Sequence, residues 1–160
     1  MDKFSLQQQV LARLAEDLQQ TEQAARVAHE TATHEENIAE NKYDTLGLEA
    51  AYLATGQARR AQAIREAMAA WRQFRPRPFD ASLGIQLGAL VCLADPDGVR
   101  QHLFLGPPGG SMKLLCEGEV VQVISSEAPL CKALMGKGEG DEVSLQGAPS
   151  RAPVEVLWVV

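Results

Sequence analysis

Six carboxylates gather around one short stretch of this chain. Across residues 29–49 the acids are Glu30, Glu35, Glu36, Glu40, Asp44 and Glu49, opposed by Lys42 alone. The chemistry of such a cluster depends on what its carboxylates reach. Residues 33–44 lie between two long helical patterns, which places them at the tip of a helical hairpin. A tip buries little, so charge gathered there acts on something outside the protein. Glu36 and Glu40 stand i, i+4 if a helix runs through the turn, Asp44 stands i, i+4 from Glu40 on the second helix, and Glu35 just precedes them. Asn37 can offer only a carbonyl oxygen. The structural alternative is that Asn37 and Glu40 form a capping box, with acids in the first turn favouring the helix dipole. His29 and His34 are five residues apart, which is not the spacing of a shared helical metal face.

The elements that would hold this tip read as a coiled coil. Phe4, Gln7, Leu11, Leu14, Leu18, Thr21, Ala25, Ala28 and Ala32 alternate in steps of three and four. Leu46, Ala50, Leu53 or Ala54, Ala58, Ala61, Ile64, Met68 and Trp71 give the returning seam. Both seams are bulky away from the tip and small toward it, so the hairpin is expected to narrow there. Gly47 and Gly56 each weaken the second helix by roughly 1 kcal/mol. About 30 residues per helix give a finger on the order of 45 Å long. Arg59, Arg60, Arg65, Arg72, Arg75 and Arg77 are opposed only by Glu66 between residues 55 and 77. They read as a solvated face or as a basic surface for RNA or acidic protein.

The chain changes character near residue 76. Phe74-Arg75-Pro76-Arg77-Pro78-Phe79 carries two prolines that cannot continue a helix and reads as a short stiff linker. The expected domains are residues 1–76 and residues 80–160. In the second, residues 85–93 are an apolar run, Asp95-Pro96-Asp97-Gly98 a turn, and residues 99–105 a hairpin return. Residues 106–111 are a loop, 120–124 a strand, 129–135 a short helix closed by Gly136, and 143–145 and 154–160 the last strands. The fold class is α+β: a helical hairpin followed by a small antiparallel sheet with a helix over one face.

Composition sets the outer bounds. With 160 residues, 46% hydrophobic and 22% charged, the chain is globular. A net charge of −6 argues against coating nucleic acid by bulk electrostatics. No apolar run approaches the roughly 18 residues of a membrane span, and no apolar signal region opens the chain. Cys92, Cys116 and Cys131 lack any C-x-x-C pairing, which suits small core residues in a reducing cytoplasm.

Residues 124–143, Ile-Ser-Ser-Glu-Ala-Pro-Leu-Cys-Lys-Ala-Leu-Met-Gly-Lys-Gly-Glu-Gly-Asp-Glu-Val, resemble the signature of Gre-type bacterial transcription elongation factors. In that family a strand leads to Ser-Pro, a short helix, Leu-(Leu/Ile/Met)-Gly-Lys, a loop and Asp-x-Val. Glu40-Asn41 resembles the family's tip pattern, Asp-x-x-Glu-Asn, and the order finger, linker, sheet domain covers nearly the whole chain. The resemblance implies an FKBP-like second domain that docks on core RNA polymerase, with Pro129, Leu130, Leu134, Gly136, Lys137 and Asp141 as the docking signature. It implies a finger entering the secondary channel, with Glu36, Asn37, Glu40 and Asp44 acting at the polymerase magnesium site and Asn41 and Tyr43 as tip contacts. Tyr43 reaches the channel wall or packs on the hairpin.

The resemblance further implies no catalytic residue of the chain's own, no stably bound metal, and no cofactor beyond Mg²⁺ shared with the polymerase. The nascent RNA 3′ end would be met indirectly, and a cytoplasmic monomer is expected. Asn37 stands where the family has Asp, so the charge wanted by a second Mg²⁺ is missing and stimulation of transcript cleavage is left open. Prolyl isomerisation is a rival for an FKBP-like domain, but from residue 80 on the aromatics are Phe104 and Trp158 alone. A coiled-coil adaptor unrelated to polymerase is the other.

Overall fold

The computed structural model describes residues 1–34, 45–144 and 152–160. Two long helices open it, α1 over Lys3–Thr33 and α2 over Leu46–Gln73. The start of α1 is fixed by Asp2, whose carboxylate accepts from the backbone N–H of Phe4 at 3.2 Å and of Ser5 at 2.8 Å. On α1 the buried residues Gln7, Leu14, Thr21 and Ala28 fall seven apart, the heptad read from the sequence. On α2, Ala50, Ala54, Gln57, Ala61, Ile64, Met68 and Trp71 step by four and three and are all buried or half-buried.

The structure corrects the seam at two places and decides the open alternative at a third. Phe4 is exposed, while Leu6 and Val10 are fully buried beside Gln7. The buried arc of α1 is wider at its base, because there the helix packs within the sheet-bearing unit and not along a single seam. Of the open pair, Ala54 is half-buried and Leu53 exposed. Gln57 takes the seam position expected for Ala58, keeping the four-three step from Ala54 to Ala61.

Two compact units result, Ala12–Ala69 and the combination of Met1–Leu11 with Ala70–Val160. The described residues of the first are mostly those of α1 and α2, and Arg65 pairs there with Glu22 on the other helix. Both side chains are substantially exposed, so this bridge adds little stability. Thr21, buried in the same seam, donates its hydroxyl to the Asp17 carbonyl at 2.7 Å and so leaves no orphan donor.

The second unit carries six strands: β1 Leu90–Ala94, β2 Arg100–Gly106, β3 Met112–Cys116, β4 Glu119–Ser125, β5 Glu142–Val143 and β6 Val154–Val159. Their order is β3-β4-β2-β1-β6-β5. The sheet is mixed where an antiparallel one was expected, because β2 and β4 pair in parallel from His102↔Val121 to Gly106↔Ser125. The cause is β3, a strand absent from the sequence reading. It turns back onto β4 at the sheet edge, so β4 runs in the same direction as β2. Glu117 (φ 53°) and Gly118 (φ 85°) make that two-residue turn, the paired positive φ of a type I′ hairpin.

The apolar run 85–93 becomes a strand only at Leu90. Gly84 (φ 68°) and Gly88 (φ 93°) break the extended backbone ahead of it. Ile85 instead exchanges backbone hydrogen bonds with the segment after α3 (Pro129–Leu134), Ile85 N–H to Lys137 O and Gly136 N–H to Ile85 O, both 2.8 Å. The turn at Asp95 forms as expected. Its carboxylate accepts from Asp97 N–H at 3.0 Å and Val99 N–H at 2.8 Å.

Both faces of the central strands are covered. Val91, Leu93, Leu103, Leu105, Ile124 and Val156 form one core with Cys131 and Leu134 of α3. On the opposite face Phe104 meets Trp71 of α2, with ring centroids 6.0 Å apart. The indole lies so close to the end of β2 and the loop after it that a Cβ on Gly106 would come within 2.2 Å of it, and one on Gly110 within 2.3 Å.

Candidate functional site

Two sets of residues were singled out by sequence: the acidic tip and the segment around α3. Of the tip, Glu35, Glu36, Asn37, Glu40, Asn41, Tyr43 and Asp44 lie outside the described residues. On either side, Glu30 is exposed near the end of α1 and Glu49 is exposed in the first turn of α2. Thr45 precedes that turn, and its carbonyl accepts from Glu49 N–H at 2.9 Å.

The α3 segment can be built residue by residue. Ser125 closes β4, and its hydroxyl accepts from Glu127 N–H at 3.1 Å while its carbonyl accepts from Ala128 N–H at 2.9 Å. Pro129 occupies the first helical turn, where its missing N–H costs nothing and its fixed φ suits the helix. Leu130 is half-buried against the core and Leu134 fully buried in it. Gly136 ends the helix at φ 77°, the left-handed conformation that glycine adopts without strain. Asp141 then holds the following loop, accepting from Gly138 N–H through its carboxylate at 2.8 Å and from Val156 N–H through its carbonyl at 2.9 Å.

These placements divide the signature by task. Leu134, Gly136 and Asp141 are committed to the core, the helix end and the loop, and Leu134 has no exposed surface. Pro129 and Lys137 are exposed, as is Lys132, which was not singled out. With Ala133 and Glu142 they line an open cleft of about 460 Å³. A helix with one basic residue and one core face carried too little periodicity for sequence reasoning to single out Lys132.

Arg65 is paired with Glu22, Arg75 donates from one guanidinium nitrogen to the carbonyls of Arg72 and Phe74, and Arg59, Arg60, Arg72 and Arg77 are exposed. Beside the linker, Lys3 donates its ammonium to the Arg77 carbonyl at 2.5 Å, and partial burial lowers its pKa. Asp80 accepts from both the backbone N–H and the hydroxyl of Ser82, and these bonds hold its carboxyl below the usual range.

The three cysteines are free and buried, and burial pushes the thiols of Cys92 and Cys131 up, the reverse of activation. Among the described residues no group of His, Cys, Asp and Glu is arranged to hold a metal ion. Phe104 is fully buried beneath Trp71 and Trp158 lies against His102 at 5.5 Å, so Phe104 lines no open proline pocket. Among the described residues no helix is long and apolar enough to cross a membrane.

Comparison with known proteins shows likeness to solved structures alone. No family model matches the chain, and no curated protein matches it. The chain is similar to the crystal structure of GreA factor homolog 1 (Gfh1) of Thermus thermophilus at 24% identity, covering 94% of each chain with a TM-score of 0.38. It is similar to a structure of the transcription factor Gfh1 at 25% identity, covering 93% of this chain and 92% of the other with a TM-score of 0.40. It is also similar to Thermus aquaticus Gfh1 at 24% identity, covering 92% of each with a TM-score of 0.40. Likenesses this low in score do not bear on what the present chain does.

Proposed function

We propose that this chain is a Gre-like regulator of transcription that binds core RNA polymerase. Its sheet-bearing unit docks on the enzyme, and the acidic hairpin tip enters the secondary channel. What supports the reading is one ordered combination. Two heptad-patterned helices lead through a Pro-containing linker to a mixed sheet, whose short helix and the loop after it carry Pro129, Leu134, Gly136, Lys137 and Asp141 in the spacing of the Gre signature. Architecture alone carries no function, so the reading rests on the residue pattern placed on it.

In this reading the chain is not an enzyme. Glu36, Glu40 and Asp44 bring negative charge to the polymerase's own Mg²⁺, and Asn37 supplies an amide oxygen where a further carboxylate would help hold a second ion. Occupancy of the channel, more than cleavage, is then the means of regulation. It acts on elongation or on initiation, from a cytoplasmic monomer.

Binding of the intact chain to purified core RNA polymerase tests the reading. Saturable, stoichiometric binding supports it. The reading is abandoned if the folded protein shows no binding at micromolar concentrations.

A further inference from the structure

Within the Ala12–Ala69 unit, the second half of α1 and the early turns of α2 enclose an open groove of about 670 Å³. Ala28 and Ala50 are its buried lining, while Val27 and Leu53 line it 52% and 57% exposed. Gln19, Gln20 and Gln23 add neutral polar groups, and no lining residue is charged. Large apolar side chains left open together mark a protein-binding surface.

Charge lies at the two ends of the groove, with opposite sign. At the end nearer the start of α1, a smaller hollow shares Gln20 and Ala24 with the groove and is lined by Arg60 and Asp17. At the other end Glu30 lies three residues beyond Val27 and seven beyond Gln23, on the same helical face. Arg60 and Glu30 are exposed, and among the described residues neither makes an ion pair. Asp17 is half-buried and leaves Arg60 unpaired.

This pattern is self-complementary. Gln20, beside Arg60, and Glu30 are ten residues apart on α1, roughly 15 Å along the helix. Their midpoint falls at Ala25, level with the groove. A two-fold axis there sets the grooves of two copies face to face and antiparallel, with Arg60 of each copy opposite Glu30 of the other. Near such an axis every residue meets its own copy, where a charge would face its like. The lining has none there. The remaining acids on this flank, Glu16 and Asp17, fall opposite His34 and Thr33 of the other copy, neither an acid.

We infer that the groove seats a second copy of this chain, the two fingers pairing antiparallel through Val27 and Leu53 with Arg60–Glu30 contacts at both ends. The inference is independent of the polymerase reading, because it concerns the chain alone. A contact of one groove with its flanks is small, so the pair is reversible and gives way to monomer on dilution.

The test is sedimentation equilibrium of the full-length chain over a rising concentration series, with thermal unfolding recorded for each variant. Wild type should pass from monomer to dimer. Val27→Gln with Leu53→Gln should move that transition to at least tenfold higher concentration, and Leu53→Gln alone serves if the pair does not fold. Arg60→Glu should weaken pairing several-fold. Adding Glu30→Arg should recover it, because only the antiparallel arrangement sets these residues opposite each other. A short bis-maleimide should join two copies of Ala24→Cys, beside the axis. It should not join Ala58→Cys, which lies across the seam from Leu53 and Arg60. The native cysteines are buried and add little background. A wild type that stays monomeric at high micromolar concentration would overturn the inference. So would a dimer that the folded groove variants leave intact, or a charge swap that fails to recover pairing. Each of these outcomes leaves the polymerase reading standing.

Discussion

The side-chain amide of Gln7 donates to the carbonyl of Trp71 at 2.6 Å and to that of Phe74 at 2.8 Å, from a site only 5% exposed. Trp71 lies in the last turn of α2, where backbone carbonyls lack partners within the helix. The start of α1 thus caps the end of α2 with one neutral side chain. The indole of Trp71 meanwhile rests on Phe104, Gly106 and Gly110 of the sheet-bearing unit. One residue is held by its backbone on one side and by its ring on the other.

Removing the amide should be expensive. Gln7→Ala leaves a buried carbonyl unsatisfied, a loss of about 1–3 kcal/mol. Gln7→Glu should cost more, since a carboxylate donates no hydrogen bond and sits against the negative end of the α2 dipole. Denaturant unfolding of both variants checks the order; equal stability of Gln7→Glu and wild type would contradict it.

The glycines beneath Trp71 should be intolerant of any side chain. Gly106→Ala puts a methyl where the ring stands, and overpacking of this kind costs about 1–3 kcal/mol. Combining it with Trp71→Phe, which removes the outer ring, should cost less than the two single changes added together. A double-mutant cycle measures that coupling, and strict additivity would show that the contact carries no energy.

How much of this was legible depended on whether the signal was local. The heptads of α1, the Asp95 turn and α3 were readable because periodicity, an Asp-Pro-Asp-Gly string and a Pro-to-Gly boundary are local properties. Strand β3 was not. Met-Lys-Leu-Leu-Cys has no clean alternation, and Glu117-Gly118 is not one of the favoured hairpin pairs. Missing it also hid the parallel pairing of β2 with β4. The choice between Leu53 and Ala54 depended on which face meets α1, which no property of α2 alone decides. The structural work of two signature residues was not legible: it became plain only once Leu134 lay buried and Asp141 was bonded to Gly138.

The thiols give a pH-dependent check on the core. Burial raises the pKa of Cys131, so its protonated form is favoured in the folded state. Its contribution to stability is present below the unfolded thiol value near ~8.5 and is lost as pH rises through the raised folded value. Stability should therefore decline above about pH 8.5 in wild type, with a shallower decline in Cys131→Ala. A disulfide reagent should meet three slow thiols in the native protein and three fast ones after unfolding. Rapid native labelling would place the cysteines at the surface instead.

Asn37 should limit transcript cleavage. On a stalled, backtracked complex the wild type is expected to stimulate little cleavage, and Asn37→Asp to raise it with Glu40 in place and binding unchanged. Strong wild-type cleavage that survives Glu40→Ala would put the chemistry on other residues.

The central claim is that an acidic tip acts at the polymerase magnesium from within the secondary channel. The most direct measurement is run-off RNA synthesis at limiting nucleotide, titrated with wild type and with the Glu36→Gln, Glu40→Gln, Asp44→Asn triple variant, each at known polymerase occupancy. The wild type should suppress synthesis as occupancy rises. The triple variant should suppress it less, and the gap should be wider at low salt, where charges are screened over longer distances than the 8–10 Å of physiological salt. Identical curves at equal occupancy would contradict the account and reduce the tip to the start of a helix.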